Sequence, residues 1–478
     1  MTYLTYEMFG AAGDGKADDL EAIVHTHEAA NARQLPVRAR RGATYRIGGR
    51  ALTALVQTDT DWRGADFLVE DVALEDHTRP LFRVASRLRE EAFPLSRLEA
   101  GQTRIENPTG RLIHLTVVND GHRDYIRKGL NQNSGDPRRD VFLVQPDGSL
   151  DTPVTLPFDA VTSAVARPVD DTPLTLQGGR FVTVANQAPS RYDYHWRNIL
   201  VERSRVEVSG LRHEITGEGD HGAPYRGFLT VRSCALVEVH DCVFTGHKTY
   251  WTIGSADLPV PMGSYDVSLQ ATISVAMRRC SQTNDVMDRV YWGLIGTNFC
   301  HDLLLEDCAF SRFDAHCGVN GCTLRRCTLG HQCLNAIGFG TLTVEDTRAC
   351  GYALVNLRQD YGSTWRGDVI IRRCEWLPLG AGRAVIAGDN DGSHDFGYDC
   401  FMPRRVVIDG LTVVENDQAP PHAPLCVFND YAGPEPADGR PFLPVPPAEV
   451  EVRGLRTLRP LQLCENSALM PHTAFRAE

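Results

Sequence analysis

The sequence predicts an all-β chain wound into a solenoid of stacked parallel coils, with one helix capping its amino-terminal end. Three observations support this. A strand motif ending in a small residue recurs along the chain, the charges beside that residue alternate in sign from one repeat to the next, and a short amphipathic stretch lies near the start.

The motif has the form apolar-x-apolar-x-x-Cys. It reads VEVHDC ending at Cys242, VAMRRC at Cys280, LLLEDC at Cys308, CTLRRC at Cys327, LTVEDT at Thr347 and VIIRRC at Cys374, with VVIDG ending at Gly410 as a related rung. Most successive copies lie 19 to 28 residues apart. A period near 20 with variable insertions marks a repeat fold, because each unit buries its apolar face only against its neighbours. The small residues then form a column of buried side chains, which accounts for several of the 14 cysteines. The chain lacks a CxxC pair, so a metal cluster is not expected, and reduced thiols are expected in place of a disulfide framework.

The residues before each small one read Asp241, Arg278-Arg279, Glu306-Asp307, Arg325-Arg326, Glu345-Asp346, Arg372-Arg373 and Asp409. Parallel strands lie about 4.8 Å apart, so each acid sits between bases above and below. Such pairs fix the register of a stack, and Glu306 and Asp307 are assigned to this ladder rather than to chemistry. At the start of the chain, Asp14-Gly15 reads as a tight turn, and Asp18 or Asp19 as an N-cap. Leu20, Ile23, Val24 and Ala30 follow at helical spacing.

Residues 1–50 read as cap and first coil, 51–190 as early coils with an irregular insertion, 191–465 as regular coils and 466–478 as a tail. Within the insertion a hairpin is expected about Pro146-Asp147-Gly148. His122, Arg123, Arg127 and Lys128 make the insertion locally basic, either as one wall of a cleft or as a solvated loop. The net charge of −12 argues against nucleic acid and anionic membranes as partners. No apolar run is long enough for a membrane helix, and the amino terminus has no signal-peptide pattern. A cytoplasmic location or carriage on a phage particle is expected.

The segments FGAAGDGKADDLEAI and LPVRARRGATYRI resemble the amino-terminal signature of right-handed parallel β-helix proteins in the pectin-lyase-like superfamily. These include polysaccharide lyases, glycoside hydrolases, uronan epimerases and phage tailspikes. The resemblance implies a right-handed parallel β-helix, a poly- or oligosaccharide substrate and, for elongated members, a homotrimer, although no coiled-coil tail marks one here.

In coil after coil, the turns leaving the small residue stack into one outward strip. It carries Asp220, His221, His247, Lys248, Asp285, Asp288, Arg289, Trp292, Asp314, His316, His331, Arg358 and Asp360, with Tyr361, Trp365 and Trp251 as candidate faces for sugar stacking. A glycoside hydrolase needs two carboxyl groups flanking one bond. Asp314 paired with Asp285 or Asp288, with His316 beside it, is the expected catalytic set, and no cofactor is expected.

FDAH, residues 313–316, also resembles the F-D-P-H core of uronan C5-epimerases, with Ala315 in place of proline. The resemblance implies His316 as base and Asp314 as neutraliser. The family's tyrosine has no counterpart before Phe313, where Arg312 stands. A lyase would use Arg358, Lys248 or Tyr361 in a similar way, and both uronate readings predict a basic groove. A glycan-binding module without catalysis is the third reading. Asp389, Asn390 and Asp391 partly mimic a calcium loop but lack its closing glutamate.

Overall fold

The computed structural model describes residues 2–129, 132–254, 257–358, 361–388, 394–396, 400–418, 423–429, 445–464, 470 and 472–478. Its main body is a 33-stranded sheet system in which each strand pairs in parallel with strands one coil above and below. Each regular coil contributes up to three strands. In one coil these are Val267–Gln270, Ile273–Arg278 and Ser281–Gln282, and in the next Ile295–Asn298, His301–Glu306 and Ala309–Phe310. Alternate residues of these strands turn inward, so Val, Leu and Ile fill the centre and polar residues face out.

The corner between the second and third strands is where register is set. Arg278, Glu306, Arg325, Glu345, Arg372 and Asp409 are direct lateral partners in successive coils. The residues that follow, Asp241, Arg279, Asp307, Arg326, Asp346 and Arg373, all take left-handed backbone angles, with φ between 48° and 55°. Gly410 and Gly454 occupy the same corner further along, at φ 79° and 60°. Left-handed backbone disfavours residues other than glycine by roughly 1–2 kcal/mol, and pairing between coils offsets this. Two-pronged ion pairs join Arg279 to Asp241, Arg326 to Asp307 and Arg373 to Asp346, each with a shortest distance of 2.7 Å. The predicted ladder of alternating charge is therefore present. Beside it, Cys280 contacts Cys242 and Cys308, and Cys308 contacts Cys327. All 14 cysteines are buried and unbridged.

At the amino-terminal end the interior widens and is filled by rings. Phe67 stacks on Phe181 at 4.5 Å, and Tyr6, Tyr45, Trp62 and Phe82 pack around them. The helix Leu20–Arg33 closes this end with Leu20, Ile23 and Ala30 buried. Its start differs from expectation in detail. Asp19 occupies the cap position, but its carboxylate accepts from the Ala12 and Gly13 amides. Asp18 accepts from the Leu20 and Gly48 amides. At the expected turn, Gly15 has φ 73° and the Asp14 carboxylate accepts from the Lys16 and Ala17 amides, within a short irregular strand, Asp14–Asp18, that pairs with Thr44–Ile47.

The coil strands Phe82–Ala85 and Leu174–Gln177 bracket the insertion. It is a four-stranded antiparallel sheet of Glu91–Ala92, Ile113–Asp124, Asp136–Val144 and Ser163–Pro168. Phe93, Leu115, Val117, Phe142 and Phe158 form its own core. The expected hairpin is there, with the Gly148 amide donating to the Gln145 carbonyl. The sheet docks on the coils through His301, whose Nε2 lies 2.5 Å from Asp140, and through His114, bonded to the Ala271 carbonyl. No helix among the described residues is long and apolar enough to cross a membrane.

The corner geometry yields a prediction. Arg326→Asp places three acids in succession with Asp307 and Asp346 and is expected to lower the thermal midpoint by several degrees. Arg326→Gly removes the ion pairs to Asp307 and Glu306 but also the backbone strain, and is expected to lower the midpoint by less than Arg326→Asp does. Thermal melts followed by circular dichroism measure both.

Candidate functional site

One face of the solenoid is covered rather than solvated. Along its outward column, Leu200, Thr230, Ser268, Gly296, Asp314, Asn335 and Asn356 are lateral partners in consecutive coils. Leu200, Thr230, Asp314 and Asn335 are buried although they point away from the core. On one side rises the antiparallel hairpin Tyr250–Ile253 and Pro259–Met262. On the other side the insertion reaches across, and Lys128–Gly129 pairs with His394–Asp395.

Between these walls lie two cavities of about 270 and 950 Å³ that share Tyr194, Met262, Trp292, His316 and Arg358. Asp314 is at the centre, 1% exposed. Its Oδ2 accepts from the Tyr265 hydroxyl at 2.5 Å, from Arg312 at 2.8 Å and from Arg358 at 2.9 Å. Burial alone would raise the carboxyl, but Arg312, Arg358, His316 and the Tyr265 hydroxyl hold it well below the usual carboxylate range. Burial pushes the Tyr265 hydroxyl up, so it keeps its proton. Asp314 is thus a fixed negative charge, unsuited to act as a proton-donating acid.

His316 is half-buried, two residues further along the same strand. Its Nδ1 lies 2.8 Å from Asn298 Oδ1 and 3.3 Å from the Cys317 thiol. The ring also meets the edge of Tyr361 at 5.5 Å. Arg358 and Arg127 lie over the faces of Tyr361, at 5.3 and 5.0 Å. Arg312 lies 4.5 Å from the Trp292 ring. Asp266, next to Tyr265, is bonded to His213 and His247 at 2.8 and 3.0 Å, and this buried bracket anchors the segment that carries the tyrosine, just before the strand Val267–Gln270.

No protein-family model matches the sequence, and no curated protein does. Solved structures resemble it over nearly its whole length. The tailspike of Pseudomonas phage LKA1 aligns with 95% of this chain and 81% of its own, at 12% identity and a TM-score of 0.56. The tailspike of Pseudomonas phage phi297 covers 100% and 84%, at 12% identity and a TM-score of 0.58. The fold they share with this chain is the right-handed parallel β-helix. A third match, the tailspike of Acinetobacter baumannii bacteriophage AP22 in complex with a capsular saccharide, covers 99% and 79%, at 8% identity and a TM-score of 0.50.

The β-helix gathers some of the sequence-predicted residues and scatters others. Asp314, His316, Trp292, Arg358 and Tyr361 meet in the cavities, and so does Arg127 from the basic insertion. Asp285 and Asp288 do not line either cavity. They sit exposed in the loop after Ser281–Gln282, where their carboxylates accept from the Met287 and Val290 amides as turn caps. The expected carboxylate pair with Asp314 is therefore not assembled there. Trp365 is fully buried in the core and its indole donates to the Gly340 carbonyl, so it presents no face to a sugar. His247 is part of the buried bracket, and Lys248 is tied to the Gly219 carbonyl at 2.7 Å. Asp220 is exposed in the neighbouring loop.

His221 and Trp251 line a different cavity, outside the hairpin. Arg289 and His331 line a third, further along the coils. Asp360 lies outside the described residues, as do Asp389, Asn390 and Asp391. Among the described residues no group of three metal-binding side chains is assembled.

Tyr265, Tyr194, Arg226 and Asn298 were not singled out in the sequence. Tyr265 stands two coils from Asp314 and reaches it only because Gly296 intervenes, where a Cβ would fall 2.6 Å from the tyrosine ring. No local motif announces that relation.

Stability of this cluster depends on pH with a definite sign. The Asp314 carboxyl is depressed below its unfolded value of about 3.9, so its contribution is complete above about pH 4 and is lost as pH falls. Asp314→Asn leaves two arginines facing a neutral group and is expected to cost roughly 3–5 kcal/mol near neutrality. The gap between wild type and variant is expected to narrow below about pH 4. Denaturant unfolding over a pH series measures it.

Proposed function

We propose that this β-helix is a carbohydrate-active enzyme that removes the C5 proton from a uronate unit of an anionic poly- or oligosaccharide. His316 is the base in this reading. The observation that carries it is the charge of the trough. On a chain of net charge −12, the described residues lining the two joined cavities include Arg127, Arg226, Arg312 and Arg358 against the single carboxylate of Asp314. Such a local field draws in a polyanion that the rest of the surface repels. The capsular saccharide in complex with the AP22 tailspike supports a saccharide ligand, and the FDAH segment supports the uronate chemistry.

Proton abstraction beside a carboxylate builds negative charge on that carboxylate, and arginines fixed around it stabilise the charge. His316 in its neutral form takes the proton, and the electron pair moves onto the carboxylate oxygens as an enediolate. Delivery of a proton from water to the opposite face of C5 gives the epimer, His316 releasing its own proton to solvent. Departure of the C4 oxygen with the proton held by His316 gives chain cleavage and a C4–C5 double bond. Tyr265, which holds its proton beside Asp314, supplies the tyrosine that the segment before Phe313 lacks. Hydrolysis requires two carboxyl groups about one bond, whereas the described lining of these cavities contains one, held ionised.

Incubation with a panel of uronate and neutral glycans tests the proposal. Ultraviolet absorbance from a conjugated double bond marks elimination, and deuterium uptake without cleavage marks epimerisation. New reducing ends without that absorbance mean hydrolysis and overturn the reading, as does binding without turnover on every glycan. His316→Ala is expected to lower turnover at least about 100-fold, while Asp285→Asn and Asp288→Asn are expected to stay within about twofold of wild type. Steady-state rates on the responsive glycan measure all three.

A further inference from the structure

Beyond the cavities around His316, the same face holds a third of about 770 Å³, which shares Gln332, Asn335 and Asn356 with them. We propose that this third cavity is a second, non-reacting subsite for anionic sugar units of the same polysaccharide. The inference rests on the reading of an anionic polysaccharide as substrate.

The chemistry of the cavity suits binding without reaction. Arg289 and Arg383 line it, and no carboxylate does among the described residues. Tyr352 is 67% exposed at its edge, with one flank against Gly380, where a Cβ would fall 3.2 Å from the ring. An aromatic ring backed by the chain on one side and open on the other offers a platform for the apolar face of a sugar. Asn356 donates to Asn335 at 2.7 Å and Asn335 to the Gln332 carbonyl at 3.1 Å, so the amide row lining the cavity is held in place. The reactive residue types present are already engaged. His331 Nε2 is bonded to the Tyr291 carbonyl at 2.9 Å, and the Cys333 thiol donates to the Leu354 carbonyl at 3.0 Å.

Register gives the length of the occupant. Asn335, Asn356 and Ala387 are the lateral successors of Asp314, one, two and three coils on. At the spacing of parallel strands these lie roughly 5, 10 and 15 Å from it. One saccharide lying along the coils therefore spans both cavities, and longer oligosaccharides gain contacts that short ones lack.

The test uses the full chain with Tyr352→Ala, Tyr352→Phe and Arg383→Gln. With polygalacturonate or alginate as probe, binding to the inactive His316→Ala protein is expected to weaken about tenfold on adding Tyr352→Ala or Arg383→Gln. It is expected to return with Tyr352→Phe, and neutral dextran should not bind. Where a substrate is turned over, KM is expected to rise by a similar factor for long chains, with kcat and the values for short oligosaccharides unchanged. Equal affinity in His316→Ala with and without Tyr352→Ala overturns the subsite, as does the absence of polyuronate binding. Binding that weakens with Tyr352→Ala while no glycan is turned over leaves the subsite standing and removes only the proposed chemistry.

Discussion

Everything in this molecule depends on each coil lying in register with the next, and the left-handed corner is where that register is enforced. Stacked parallel strands present similar apolar rows, so slippage along the stack would cost little in the core. The corner residues remove that degeneracy. Asp241, Arg279, Asp307, Arg326, Asp346 and Arg373 each adopt a backbone conformation that glycine would take more readily. What they gain is a charged partner in an adjacent coil, and a shift by one coil would set like charges against each other.

The same regularity explains what the sequence revealed and what it hid. The ladder and the cysteine column were legible because they occupy fixed positions in a short repeat. The cap helix was legible from its apolar spacing, although Asp19 turns its carboxylate to the Ala12 and Gly13 amides. The site was only half legible. Asp314, His316, Arg358 and Trp292 follow the repeat closely, the first two on the strand Phe313–Arg325 rather than in the expected turn, so their stacking could be inferred. Asp285 and Asp288 come from a loop much longer than the one in the following coil, and a loop's length says little about where its tip lies. Their carboxylates serve the loop's own turns. Trp365 illustrates the opposite error: an aromatic beside polar turn residues proved to be an interior strand residue.

The electrostatics of the centre follow from burial. A carboxylate almost without solvent must be compensated, and Asp314 is compensated by two arginines and a hydroxyl on the same oxygen. This cluster orients Arg312 and Arg358 and leaves a net positive charge next to His316. A cationic trough on an acidic protein is then a local property of one face, created by arginines drawn from the insertion, the turns and the coil column alike. The overall charge conceals it.

Three glycines complete the picture. A Cβ at Gly263 would overlap the Trp292 side chain, one at Gly293 would crowd the stem of Arg312, and one at Gly296 would displace the ring of Tyr265. Each gives up its own side chain so that a bulky neighbour can occupy the space above the backbone. A change to alanine at any of them would reshape the chamber without altering a single reactive group, so searches keyed to acids, bases and aromatics would pass over the residues that mould it.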